Sequence, residues 1–469
     1  MRNFIKNISI YVMGYLLIRA VSFLLLPLYT NIFSTEEFGV FSLIFIFIAF
    51  SQFFYSYGMD ASLMKFFVKN KNHKQIYSSI FITLFFSSSF LSTLIWIFSE
   101  PLSLILLKAN YSNLFKISSL ILFLDSFSFR VLVIHRMEGR PYRYLSFVFL
   151  NVLISFISNY YLILKLNWGI EGALYSTLLG SISIFIFSLP ILLNRVSINN
   201  FSFSTLKRLM IFGFPFLPSI IFQLIIDFSD RQMLAYITDL KTVGIYSSSY
   251  KIASIMLLLI SGFRLGWEPF FLKLKNNKSL IISSVSNFVM FFLITVLLFI
   301  ILFIEPIIIY SNHILPFSII GENFWSSLPI IPIIMFGYLF LALYHLQMPG
   351  IFYYNKTFFL PFFRFLGALS NILLNLILIP YWGIYGAAIA TSLSFAIMTM
   401  PMFIYTNRLF QIKYNWLFIC LYLLYTLFVY SLNSFYIITI IPAILLFSIG
   451  LFIILYQLKK THYLLLNYL

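Results

Sequence analysis

Long apolar runs alternate with short polar breaks along this chain. Crossing ~30 Å of hydrocarbon takes about 20 helical residues. Fourteen runs meet that length: 8–30, 38–58, 78–98, 112–134, 144–164, 171–193, 209–229, 243–264, 281–304, 325–346, 358–380, 383–406, 414–432 and 435–457. Each has to be a helix, because an unpaired backbone group in lipid costs several kcal/mol. The pattern predicts an all-α polytopic membrane protein with about 14 transmembrane helices and no room for a sizeable soluble domain.

The breaks repeat. Asn167–Ala173 reads NWGIEGA and Tyr381–Ala387 reads YWGIYGA, at an offset of 214 residues. One copy precedes span six, the other span twelve. A fainter echo joins EEFGVFS before span two to KTVGIYS before span eight. Spans 1–6 and 7–12 therefore read as two copies of one six-helix unit. Six is even, so the copies face the same way, as in two-lobed transporters with parallel repeats. This divides the chain into an N-terminal lobe at 1–195, a C-terminal lobe at 196–410, and spans 13 and 14 with a tail at 411–469. In WGI-x-GA, the first Gly supplies a tight turn. The second Gly and the Ala let helices approach closely, and Trp anchors at the interface.

Composition agrees: 61% of the 469 residues are hydrophobic and 9% are charged. The net charge of +17 does not read as nucleic-acid binding, because the cations are scattered through loops and form no basic domain. Twenty lysines and arginines fall in the two tails and in the gaps that follow even-numbered spans. Only Lys108, Lys165, Arg231 and Lys241 fall in the others. The positive-inside rule then puts both termini in the cytoplasm. Arg2 and Lys6 precede Ile8–Leu28, which is too long for a signal h-region and lacks a small-x-small site, so it reads as a retained span. The single Cys420 makes no disulfide or metal cluster.

A charge inside a span costs at least ~2.5 kcal/mol and is a functional candidate by default. In span eleven Arg364, Gly367, Asn371 and Asn375 form one stripe. Lys251, Ser254, Ser261 and Arg264 share a broad face of span eight. Arg19 lies in span one beside Tyr15 and Ser22, and span five carries Asn151, Ser155, Ser158 and Asn159. These stripes point to a hydrated cavity between lobes. The bland alternative is buried ion pairs, such as Arg19 with Asp60 or Asp125. Deep cations outnumber deep acids, and buried cations need an anion. Arg19, Lys251, Arg264, Arg364, Asn371 and Asn375 are thus candidate substrate-binding residues. Arg130 and Arg264 read equally well as snorkelling at the cytoplasmic rim. Asp60, Asp125, Asp227 and Asp230 are candidates for ion coupling or gating, although Asp227-Phe228-Ser229-Asp230-Arg231 also reads as a satisfied interfacial cluster. The five His lack metal-ligand spacing, and nothing resembles HExxH, a P-loop or GxSxG. No catalytic residue, metal or cofactor is expected.

SFLLLPLYTNIFSTEEFGVFSL (22–43) and YGMDASLMKFF (57–67) resemble the opening of bacterial O-antigen and polysaccharide flippases, of the multidrug/oligosaccharidyl-lipid/polysaccharide exporter superfamily. FPFLPSIIFQLIIDFSDRQML (214–234), VGIYSSSYKIAS (243–254) and GFRLGWEPFF (262–271) resemble its second lobe. The resemblance runs from about residue 5 to 410. It implies two V-shaped lobes and alternating access. It implies transfer of an undecaprenyl-pyrophosphate-linked oligosaccharide between leaflets of the bacterial inner membrane. Cavity arginines on the first and eighth helices of such flippases match Arg19 and Lys251 or Arg264 in placement. The implied partners are that lipid-linked oligosaccharide, membrane lipids, a polysaccharide polymerase and a chain-length regulator. An exporter of small organic cations has the same fold, but would rely on cavity acids. A membrane polymerase is a third reading. It needs a large outer loop, and the longest here is roughly 305–324, with Glu305 and Glu322.

Overall fold

Helices make up nearly all of the described chain, and no strand occurs among the described residues. The computed structural model describes residues 13–452 apart from 15, 18, 20, 70–72, 275–277, 315–316 and 436–441. The ends of the first and fourteenth spans lie outside these residues, as do Arg2, Lys6, Tyr15, Lys71, Lys275, Lys459 and Lys460.

The first eight helices are α1 (Val21–Ile32), α2 (Thr35–Ser56), α3 (Met59–Lys69), α4 (His73–Ile97), α5 (Ser99–Leu107), α6 (Ser112–Met137), α7 (Pro141–Asn159) and α8 (Gly169–Arg195). Next come α9 (Phe203–Gly213), α10 (Leu217–Ile237), α11 (Leu240–Lys273) and α12 (Lys278–Ile314). The last are α13 (Ile330–Leu346), α14 (Met348–Tyr353), α15 (Leu360–Leu409), α16 (Trp416–Phe435) and α17 (Pro442–Phe452). Every predicted span has a helical counterpart. Ten helices are long and apolar enough to cross a membrane, and α9 with α10 forms a bent eleventh. The shorter apolar α1 and α17 add two. Helix α15 is 50 residues long but breaks at Gly383, where φ is 53° and ψ −125°, so it supplies two spans.

The ends of several helices differ from the sequence expectation. Helix α12 continues through Pro306 to Ile314, so the first half of the predicted outer segment 305–324 is helix, and the 3-10 turn Glu322–Ser327 lies between α12 and α13. A helix in an apolar phase keeps its backbone paired whatever its charge, and one Glu does not end it. Arg231, assigned to an outer gap, lies inside α10 and is buried.

Two compact units divide the chain. One holds residues up to Leu224 together with Asp239–Gly244; the other holds Ile225–Thr238 and the chain from Ile245 onward. In the first, Ile80 and Leu84 of α4, Leu63 of α3, Val131 and Ile134 of α6 and Leu209 of α9 form the core. Ser34 begins α2 with a capping box: its hydroxyl accepts from the Glu37 amide at 3.1 Å, and Glu37 accepts from the Ser34 amide at 2.8 Å. At the start of α11, Asp239 accepts from the Thr242 amide at 2.7 Å. Each cap lies five residues before a glycine, Gly39 or Gly244. A Cβ on Gly39 would strike the Leu240 carbonyl, and one on Gly244 the Thr35 carbonyl. The sequence echo thus marks a mutual close approach of helix starts.

In the second unit α13 packs along α15. Three α15 hydroxyls at heptad spacing point at it. Ser392 donates to the Ile333 carbonyl at 2.6 Å, Thr399 to the Phe340 carbonyl at 2.9 Å, and Thr406 to the Gln347 side-chain oxygen at 2.8 Å. Hydroxyls and small residues hold helices together where lipid offers no hydrophobic drive. Gln347 also donates to the Tyr414 hydroxyl at 2.9 Å. Tyr414 lies between α15 and α16, and burial pushes its phenol well above the usual value, so it stays neutral.

Candidate functional site

Three charged constellations emerge, one in the first unit and two in the second. The first begins at the break between α2 and α3. Tyr57 and Gly58 have φ of 29° and 72°, and a Cβ on Gly58 would strike the Gly213 carbonyl. This left-handed pair starts α3 so that Asp60 meets Arg130 of α6, with Nε 3.2 Å from Oδ1. Arg130 is fully buried. Its Nη1 donates to the Ser126 carbonyl at 3.1 Å, and its Nη2 has no hydrogen-bond partner. A snorkelling side chain is therefore not what Arg130 is: it is enclosed by protein and paired with Asp60 at the start of α3. An ion pair joins Asp60 to Arg130. Arg19 is exposed. Asp125, one turn before Arg130 on α6, interacts with Ser181 of α8. The polar stripe of span five serves packing: Asn159 accepts from the Tyr29 hydroxyl at 2.8 Å, while Asn151 and Ser155 cover Gly180 of α8.

The second constellation joins α10, α11 and α15. Asp230 is fully buried and accepts from the Tyr246 hydroxyl at 2.6 Å, the Thr391 hydroxyl at 3.3 Å and the Arg231 amide at 2.8 Å. The Arg231 guanidinium lies 3.4 Å from Asp230, donates to the Asp227 carbonyl at 2.7 Å and sits 3.7 Å from the Tyr250 ring centroid. A buried carboxylate and guanidinium cancel each other here, with hydroxyls and an aromatic face filling the remaining valences. The cluster is satisfied, as one reading of the sequence had it, and Asp230 and Arg231 are buried within the protein. Beside it, Asn371 accepts from Ser229 at 2.6 Å and from Asn375 at 3.0 Å. Both asparagines are fully buried, the Asn371 amide nitrogen and the Asn375 amide oxygen lack partners, and Gly367 is covered by Ile226 and Met398. The inner half of the span-eleven stripe therefore faces helices.

The third constellation draws on Arg264 of α11, the last turn of α13 and the first turns of α15. The guanidinium of Arg364 is 5.9 Å from the Tyr344 ring centroid. Both Arg264 and Arg364 act electrostatically on Tyr344 and on His345. The two aromatic residues are buried, and His345 Nδ1 has no hydrogen-bond partner. Half-buried Arg364 thus faces a buried aromatic wall, and half-buried Arg264 lies on α11, whose Trp267 donates to the His345 carbonyl at 3.2 Å. Phe263, next to Arg264, lines an apolar cavity of about 210 Å³ with Leu259, Ile260, Phe292 and Ala342. Lys251 lies thirteen residues earlier on α11, ~20 Å away at 1.5 Å per residue. It does not share one ligand group with Arg264. The sequence stripes missed Arg130, Tyr246, Tyr344 and His345. Only the carboxylate at Asp60 and the serines around Arg130 signalled a partner for that cation.

The profile of the polysaccharide biosynthesis protein family matches residues 4–265, more than half of the chain. The chain belongs to that family. No curated protein matches it. Among solved structures it is similar to a lipid II flippase, MurJ, in an inward closed conformation, at 16% identity, covering 97% of this chain and 99% of that one with a TM-score of 0.71. It is also similar to a multidrug resistance MATE transporter of the MOP superfamily. The inward-facing form matches at 14% identity over 83% of this chain and 94% of that one, with a TM-score of 0.64. The outward-facing form matches at 15% identity over 87% and 95%, with a TM-score of 0.59. At these identities the likeness is one of fold. This member of the polysaccharide biosynthesis family is a multi-pass membrane protein whose fold is like that of the flippase and the transporters it matches.

Proposed function

We propose that this protein flips a lipid-linked oligosaccharide, an undecaprenyl-pyrophosphate-linked repeat unit of O-antigen or of capsular or exopolysaccharide, from the cytoplasmic to the periplasmic leaflet by alternating access. The observation that carries this is Arg364 5.9 Å from the Tyr344 ring, with Arg264 on the α11 helix that also meets α13, next to an apolar cavity. Planar guanidinium groups suit a diphosphate, which they bind with paired hydrogen bonds. The isoprenoid tail stays in lipid or uses apolar grooves. Lys251, ~20 Å along α11, serves as a second station on the path, and Arg19 and Arg130 supply cations in the first unit. Asp60 and Asp125 are the carboxylates placed to exchange a proton or ion, with Asp227 as a further candidate at a gate. Asp230, closed by four donors, holds helices together. Asn371 and Asn375 shape the wall rather than reach the substrate.

The family supports this reading, since a polysaccharide biosynthesis protein with a flippase-like fold needs a lipid-linked saccharide to move. The setting is the bacterial inner membrane with both termini cytoplasmic, beside a polysaccharide polymerase and a chain-length regulator. No nucleic acid is involved. The test is complementation in a strain lacking this gene. Arg264→Ala and Arg364→Ala should abolish surface polysaccharide and trap the lipid-linked unit on the cytoplasmic side, with normal protein in the membrane. Normal polysaccharide from both variants sinks the assignment. Drug efflux in a pump-deficient strain separates the exporter reading, and the cationic site predicts no protection.

A further inference from the structure

The turn before α8 builds a groove. The last turn of α7 widens into a π-helix, Tyr160–Lys165, and the Trp168 amide reaches back to the Leu162 carbonyl at 3.1 Å. Gly169 then starts α8 at a φ of 52°. The result is an open groove of about 620 Å³ lined by Leu162, Trp168, Glu171, Tyr175, Leu178 and Leu179. Trp168 and Tyr175 form an edge-to-face corner, with centroids 5.7 Å apart and planes at 66°. Glu171 is exposed, and among the described residues it takes part in no ion pair, although Lys165 lies on the same turn. A Glu in the first turn of a helix complements the helix dipole. That accounts for its tolerance at this position, but not for the aromatic corner around it. In the second copy the same position is Tyr385.

We propose that this groove binds the headgroup of a phospholipid that ends in a free ammonium, as in phosphatidylethanolamine. The argument is charge complementarity at an interface. An ammonium can donate to the Glu171 carboxylate while resting against Trp168 or Tyr175, whose ring faces attract cations. The acyl chain then runs along Leu162, Leu178 and Leu179. An anionic headgroup is repelled by Glu171. A sugar is the weaker fit, because its many hydroxyls would meet only the Glu171 carboxylate, the Tyr175 hydroxyl and the Trp168 indole N–H among polar groups of the lining side chains. The groove lies at the end of α8 away from the basic loops, so its lipid belongs to that leaflet.

The test is a native mass-spectrometry titration of the purified full-length protein with short-chain phosphatidylethanolamine, phosphatidylcholine and phosphatidylglycerol of one acyl length. Phosphatidylethanolamine should bind on the order of tenfold more tightly than phosphatidylglycerol, a difference of about 1.4 kcal/mol. It should also exceed phosphatidylcholine, whose methylated head cannot donate. Glu171→Gln should erase the preference, and Trp168→Leu should weaken binding of the ethanolamine lipid. Tyr385→Phe in the second copy should change nothing. Should Glu171→Gln not purify as a folded protein, Glu171→Tyr, the residue of the second copy, takes its place. Equal binding of ethanolamine and glycerol lipids, a preference that survives both Glu171 variants, or displacement of the lipid by a soluble oligosaccharide overturns the assignment.

Discussion

Gly169 and Gly383, 214 residues apart, share a positive φ, 52° and 53°. Each follows a tryptophan and starts the helix of a final span in its repeat. The two glycines after them act differently. A Cβ on Gly172 would press on Trp168 and Ile163, and one on Gly386 would strike the Leu378 carbonyl. Nothing lies within 4 Å of a Cβ on Gly169 or Gly383. In each repeat, then, the first glycine is required by its φ and the second by its space.

Substitution should separate these two demands. Gly169→Ala and Gly383→Ala should each cost about 1–2 kcal/mol, the penalty of a Cβ at positive φ. Gly386→Ala should cost more, because the clash is with backbone. Thermal melting in detergent ranks the three.

Asp230 and Arg231 should be interdependent. Asp230→Asn leaves a buried guanidinium uncompensated, and breaking such a pair costs about 3–5 kcal/mol. The double variant Asp230→Asn with Arg231→Met should recover most of that loss. Melting temperatures of the two singles and the double give the coupling directly.

The heptad hydroxyls between α15 and α13 should contribute modestly and separately. Thr399→Val and Ser392→Ala should each cost about 0.6 kcal/mol, typical of an interhelical hydrogen bond in a membrane. Thr406→Val should cost more, since it strips a donor from fully buried Gln347. Unfolding followed in mixed micelles distinguishes the sites.

The charge bias predicts sidedness. In a Cys420→Ser background, Asn199→Cys on the turn before α9 should react with an impermeant maleimide only after permeabilisation. Asn110→Cys, between α5 and α6, should react in intact cells. Both side chains are exposed, so accessibility reports the membrane side alone. The opposite labelling pattern would invert the topology.

Periodicity and length alone determined the span count, the class and the repeat. A bilayer permits one solution for an apolar run of twenty residues, so hydropathy carries nearly full information about element type. Even the break at Gly383 was legible, because only glycine takes that φ without strain. The charged residues were another matter. Arg364 and Arg264 were visible as intramembrane cations, but the approach of Arg364 to Tyr344 depends on how α13 and α15 pack. Arg130 looked like a snorkelling residue because its partner, Asp60, lies on α3, whose start follows the left-handed turn at Tyr57 and Gly58. The partners of Asp230 could not be read from its own run, because Tyr246 and Thr391 lie 16 and 161 residues away. A sequence states which groups are costly to bury. Which partner meets that cost is decided by long-range packing, because side chains a few residues apart on one helix can face different neighbours.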